Sequence, residues 1–145
     1  MSKQPAFWDS SALVPLCLHE SASRRAHSQL QRFLPVVWWG SLVEVYSAIA
    51  RLHRLRKLSA GERQKALSQL DLLNRNWREI LPGDQVRDLT THLLEAHDLR
   101  AADSVQLAAA LTWCQQRPAR RDFLCGDERL SQAATAVGFS VLQLS

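Results

Sequence analysis

The sequence predicts an α/β fold with a mostly parallel sheet, and two observations predict it. Short apolar runs, AFW at 6–8, VVWW at 36–39 and FLC at 123–125, alternate with longer stretches of helical periodicity, separated by Pro, Gly and Ser. Acidic residues follow two of these runs, Asp9 directly after AFW and Asp127 after FLC and one glycine. In open α/β sheets, ligands collect beyond the carboxyl ends of the strands.

Each element has its own signal. Residues 6–8 read as the first strand and 11–19 as the helix after it. A second helix covers 21–33 and stops before Pro35, whose missing amide hydrogen cannot continue it. The strand at 36–39 leads through Gly40 and Ser41 into a long helix reaching 57. Ser59 and Glu62 have the spacing of a capping box, so another helix runs over 60–74, with Leu67, Leu70 and Leu73 along one face. Residues 77–81 form a short strand stopped by Pro82 and Gly83. Val86, Leu89, Leu93 and Ala96 mark a helical face across 84–97. A further helix spans 102–115, FLC is a strand, 128–137 is a helix ended by Gly138, and 140–144 is the last strand. The helix-to-helix connections in the middle leave the alternation imperfect there.

At 145 residues the chain fits one domain, 1–145, and a second would be cramped. An apolar fraction of 46% and a charged fraction of 22% are those of a globular protein. No apolar run approaches the roughly 20 residues of a membrane span, and Asp9 interrupts any signal-like start, so the expectation is a cytoplasmic protein without a membrane partner. Cys17, Cys114 and Cys125 are widely spaced, odd in number and form no CxxC pair. His92 and His97 lie five apart, on different helix faces. These spacings argue against a disulfide framework and against a nitrogen–sulfur metal site. The net charge of +4 permits a polyanionic partner. Its two basic clusters, RLHRLRKL at 51–58 and Arg117, Arg120 and Arg121, read either as phosphate contacts or as solvated surface.

The acids carry more. Besides Asp9 and Asp127, Glu44 lies one helical turn beyond VVWW, and Asp103 opens a helix that is almost wholly apolar afterwards. Each has a structural explanation. Asp9 and Asp127 sit where helix N-caps belong, Ser41 and Glu44 match a capping box, and Asp103 can pair with Arg100 on one helix face. Four caps at one end of a sheet, with nothing bound among them, is the weaker reading. If the four converge, two like charges about 6 Å apart repel by roughly 3 kcal/mol at an effective dielectric near 20. Some must then protonate, or a cation must sit among them. Oxygen donors alone favour hard ions, Mg²⁺ or Mn²⁺, which activate water and steady phosphoryl oxygens.

Taken together, Asp9-Ser10-Ser11-Ala12-Leu13-Val14, Glu44 in SLVEVYSAIARL, Asp103 in LRAADSVQLAAAL and Asp127 in FLCGDERLSQAA resemble the PIN domain, and most closely the VapC-type toxins of prokaryotic toxin–antitoxin pairs. The likeness runs from Phe7 to the last strand, carried by the order and spacing of the motifs. It implies a three-layer α/β/α sandwich, often dimeric, acting as an Mg²⁺- or Mn²⁺-dependent endoribonuclease. By position, Asp9, Glu44, Asp103 and Asp127 become the catalytic, metal-holding acids, and Ser11 the hydroxyl that orders the first of them. RNA is then the substrate and a small antitoxin the partner. Asp122 is a rival for the fourth acid, but it precedes its strand and so belongs at the other sheet end. Asp98 reads as a surface or capping residue.

Basic residues near the cleft, Arg100 and the 51–57 face, are candidates to grip the RNA backbone. Two rival readings differ in class. An aspartyl phosphohydrolase with Asp9 as nucleophile wants a second Asp two residues on, where Ser11 stands. A non-catalytic α/β binding module would use the acids as helix caps and Trp8, Trp38, Trp39, Trp77 and Trp113 as interface anchors.

Overall fold

The first apolar run forms β1 (Gln4–Trp8), which pairs on one side with β2 (Phe33–Trp38) and on the other with β4 (Asp122–Cys125). Outside these lie β3 (Arg78–Ile80), paired to β2, and β5 (Ser140–Gln143), paired to β4. All four pairings are parallel, and the order is β3-β2-β1-β4-β5. The computed structural model describes residues 3–144.

Among the described residues, seven helices join the strands: α1 (Ser10–Cys17), α2 (Ser23–Arg32), α3 (Ser41–Arg54), α4 (Ala60–Asn76), α5 (Asp84–Ala96), α6 (Ala101–Trp113) and α7 (Glu128–Val137). Successive strand residues point to opposite faces, as the two-residue period requires. Ala6, Trp8, Val37 and Leu124 pack with Leu13, Leu16, Ala26, Val45, Ile49 and Leu70 from α1 to α4. Phe7, Val36, Phe123 and Cys125 pack instead with Val86, Leu93, Leu107 and Leu130 from α5, α6 and α7. The result is three layers, helices on both faces of one parallel sheet, as the PIN resemblance implied. A sheet covered on both faces explains why AFW, VVW and FLC are continuously apolar rather than alternating. Each large side chain so buried contributes about 1.5–3 kcal/mol, and that packing holds Asp9, between Trp8 and Ala12, out of water.

Some boundaries move, for local reasons. Pro35 lies inside β2 rather than ending a helix before it. It pairs with Ala6 on one side, while β3 begins only opposite Val36, so on that edge no strand asks Pro35 for an amide hydrogen. The helix expected from 21 starts at Ser23, because the Ser23 hydroxyl donates to Leu18 O and accepts from Glu20 N, closing a turn first. The helix expected to reach 57 ends at Arg54, and the one expected to reach 115 ends at Trp113. Arg56, Gln115 and Gln116 adopt positive φ, which an α-helix does not accommodate. The capping box of Ser59 and Glu62 forms in full.

Strand order fixes where a ligand fits. From β1 the chain builds outward to β2 and β3, then crosses back to place β4 and β5 on the other side. The carboxyl ends of β1 and β4 therefore flank the point where the order reverses, which is where open α/β sheets form their crevice. Among the described residues, no helix is long and apolar enough to cross a membrane.

Candidate active site

Asp9 leaves β1 at that reversal point. Its backbone is extended, its amide still bonds Leu124 O of β4, and its side chain caps α1 by accepting from Ser11 N at 3.1 Å. The Ser11 hydroxyl donates to the same oxygen, Oδ2, and the Cys125 thiol stands 3.6 Å from it. Asp9 is 3% exposed. Burial pushes its carboxyl up to about 6, against the lowering effect of the Ser11 bonds, and Asp103 and Glu44 add to the rise.

Glu44 does not form the capping box its spacing suggests. Gly40 is the N-cap of α3 and no side chain caps that helix. Gly40 is needed there because a Cβ would stand 2.5 Å from the Trp38 indole nitrogen. Freed from capping, Glu44 Oε2 accepts from Ser10 Oγ of α1 and from Gln106 Nε2 of α6, the latter at 3.2 Å. Its carboxylate thus turns inward, toward Asp9 and Asp103, both of which feel its charge.

Asp103 is half-buried in the first turn of α6. Burial raises its pKa, the charges of Asp127 and Glu44 raise it further, and Arg100 pulls it down. Asp127 caps α7, Oδ2 accepting from Leu130 N at 3.1 Å. Asp103 and Asp127 line one cleft of about 460 Å³ with Arg100, Glu128 and Arg129. Asp9, which is buried, and Glu44, which is half-buried, do not line it. Asp122 begins β4, at the opposite sheet end, and Asp98 is an exposed partner of Arg129 at 3.7 Å. The tryptophans do not gather into one surface: Trp8 and Trp77 are core, Trp113 stacks under Arg121, and Trp39 is the exposed one.

The donor set suits a hard cation. Each of Asp9, Glu44 and Asp127 commits one oxygen to protein donors, and among the described residues the other oxygen of each accepts no hydrogen bond. None of the four acids forms an ion pair among those residues. Oriented carboxylates with a spare oxygen, unneutralised and mutually repelling, match what Mg²⁺ or Mn²⁺ requires. Among the described residues no three His, Cys, Asp or Glu side chains already stand grouped to hold an ion.

Four residues around the acids were not read from the sequence. Ser10 and Gln106 hold Glu44, Cys125 touches Asp9, and Gly126 N donates to Ser11 Oγ at 2.8 Å. Only Gln106 left a signal, being the lone large polar side chain in the apolar run from Val105 to Leu111.

No protein-family model matches the chain. Two Mycobacterium tuberculosis proteins, Ribonuclease VapC45 and Ribonuclease VapC49, are each 30% identical to it over 114 residues, covering 72% of this chain and 74% of the relative. Among solved structures, FitAcB from Neisseria gonorrhoeae superposes with a TM-score of 0.66 at 12% identity, over 95% of this chain and 96% of that one. A toxin–antitoxin complex from Klebsiella pneumoniae superposes with a TM-score of 0.62 at 15% identity, over 87% of this chain and 90% of that one. At such identities the two structures speak to the fold.

Proposed function

Since this chain belongs to the family of VapC ribonucleases, we propose that it is a divalent-metal-dependent endoribonuclease, the toxin of a type II toxin–antitoxin pair, cutting RNA at Asp9, Glu44, Asp103 and Asp127. One observation carries the site assignment. Burial raises the proton affinity of Asp9 and Asp103, the charges of neighbouring carboxylates add to the rise, and among the described residues none of the four acids forms an ion pair. That is the electrostatic signature of a missing positive charge. Asp9 and Asp127 do cap α1 and α7, as the binding-module reading expects, but capping does not account for Glu44.

Asp9, Glu44 and Asp103 would hold one Mg²⁺ or Mn²⁺, with Asp127 completing the set. When bound, the ion acidifies a water and offsets negative charge gathering on the phosphate. The residues do the rest. Ser11 and the Cys125 thiol hold Asp9 Oδ2, leaving Oδ1 to face the ligand. Ser10 and Gln106 do the same for Glu44. A carboxylate of the set that the ion leaves free can accept the proton of the attacking water. Arg100, on the cleft beside Asp103, grips the RNA backbone.

The protein works in the cytoplasm, where RNA is, and a small antitoxin restrains it. The exposed Trp39, Val43, Tyr46 and Leu81 supply apolar surface for that partner or for a second copy in a homodimer. The test is cleavage of single-stranded RNA by the purified chain. Activity should require Mg²⁺ or Mn²⁺, vanish in EDTA and vanish in Asp9→Asn; an Asp9→Asn variant cutting at the normal rate overturns the assignment.

A further inference from the structure

Gln106 is 1% exposed and lies one helical turn after Asp103 on α6. Its Nε2 donates to Ser10 Oγ at 2.7 Å, Ser41 Oγ at 3.0 Å and Glu44 Oε2 at 3.2 Å. Ser10 Oγ donates to the same Glu44 oxygen. One carboxamide therefore joins three helices, α1, α3 and α6, around a single carboxylate. Its own Oε1 is buried without a partner among the described residues. Turning the amide over would bring that oxygen against the Glu44 carboxylate, so the charge on Glu44 dictates which end faces it.

Apolar packing does not explain a glutamine here. A buried acceptor left unpaired is a burden on the fold, and leucine or methionine would fill the space in the core without it. The neighbours on α6, Leu107 and Ala108, Ala109 and Ala110, are all apolar and fully buried. What the carboxamide does that an apolar side chain cannot is hold Glu44 and give the buried Ser41 hydroxyl a partner.

We propose that Gln106 is a positioning residue: it turns Glu44 Oε2 toward Ser10 and α6, leaves Oε1 for a ligand, and sets that carboxylate's distance from Asp103 on its own helix. This inference rests on reading the four acids as a divalent-ion site. Removing a hydrogen-bonding partner of a metal-holding side chain weakens metal binding about 10- to 100-fold in general, and the same range is expected here.

The experiment measures Mn²⁺ binding to the full chain without RNA, by electron paramagnetic resonance, alongside the thermal midpoint in EDTA. Gln106→Leu and Gln106→Met should bind Mn²⁺ about 10- to 100-fold more weakly, beyond whatever the loss of the Ser41 bond does to the midpoint. Cleavage should return as Mn²⁺ is raised, with the ion requirement shifted by the same factor. A lowered midpoint with unchanged Mn²⁺ affinity overturns the proposal, because it marks a packing role alone. If both fall, Ser10→Ala decides, since it breaks the network without disturbing α6. Weakened Mn²⁺ binding at an unchanged midpoint supports the proposal, and unchanged binding overturns it. An unmodified chain that binds no Mn²⁺ removes the ion site and this role together. One that binds it equally with and without Gln106 removes only the role.

Discussion

Ser11 receives the amide hydrogen of Gly126 at 2.8 Å, although 115 positions separate the two. With that lone pair occupied, the Ser11 hydroxyl hydrogen goes to Asp9 Oδ2. A bond from the end of β4 thus orients the carboxylate at the end of β1, and successive bonds of this kind polarise one another. Gly126 allows the approach because a Cβ there would stand 3.1 Å from Ser11 O, tighter than most packed Cβ contacts, so the neighbour would have to give way.

Gly126→Ala is therefore expected to push β4 from α1. Strain from such overpacking is about 1–3 kcal/mol, and it falls on the bond that orients Asp9. Thermal melting should drop accordingly, and metal-dependent cleavage should fall further than stability does. A variant that melts lower but cleaves normally would show that Ser11 orients Asp9 without help from Gly126.

Asp9→Asn gives a second test, with a sign that depends on pH. Burial raises this carboxyl from 3.8 to about 6 in the folded state, so the native protein holds the proton more tightly than the unfolded chain. Stability is then lost as pH climbs from about 4 to 6 and stays lost above, a difference of about 3 kcal/mol at most. Asparagine keeps the cap on Ser11 N and removes the charge. In EDTA at neutral pH the variant should melt higher than the unmodified chain, with the gain disappearing below pH 4. It should have no cleavage and unaltered far-UV circular dichroism. A lower neutral-pH midpoint would mean the charge is not the burden on the fold that its burial implies.

The same charges explain how far the sequence could be read. Strands were legible because a sheet covered on both faces demands unbroken apolar runs, and Asp9 and Asp127 stood out as acids directly beyond them. Glu44 was legible only as an acid near a strand end. Its spacing from Ser41 pointed to a cap, and what overrides that spacing is a donor 62 positions away, Gln106. Ser10 and Cys125 were opaque for the same reason, as their roles arise from contacts between distant segments. Pro35 misled because a proline is disfavoured within a helix and so reads as a break, whereas its tolerance in a strand depends on whether a neighbour needs its amide.

Metal addition should be visible without RNA. An ion that binds only the folded chain stabilises it by mass action, about 2.7 kcal/mol at a hundredfold excess over Kd. Mn²⁺ or Mg²⁺ should thus raise the thermal midpoint. The rise should shrink below about pH 6, where Asp9 takes up a proton that the ion must displace. A rise of equal size at pH 5 and pH 8 would exclude Asp9 from the ligand set.

Arg100 separates two electrostatic effects within one substitution. It lines the cleft with Asp103 and Asp127, and its charge lowers the pKa of Asp103. If it also grips a phosphate, Arg100→Ala should raise KM for RNA and reduce the slope of log K against log salt by about 1. Losing the cation also lets the Asp103 pKa climb, so the acid limb of the cleavage profile should move to higher pH. Arg100→Lys keeps the charge and should restore the acid limb, while recovering RNA affinity only in part, since an ammonium lacks the paired donors of a guanidinium. A shifted acid limb with an unaltered salt slope would confine Arg100 to tuning Asp103. An unaltered acid limb with a shallower slope would assign it to RNA alone.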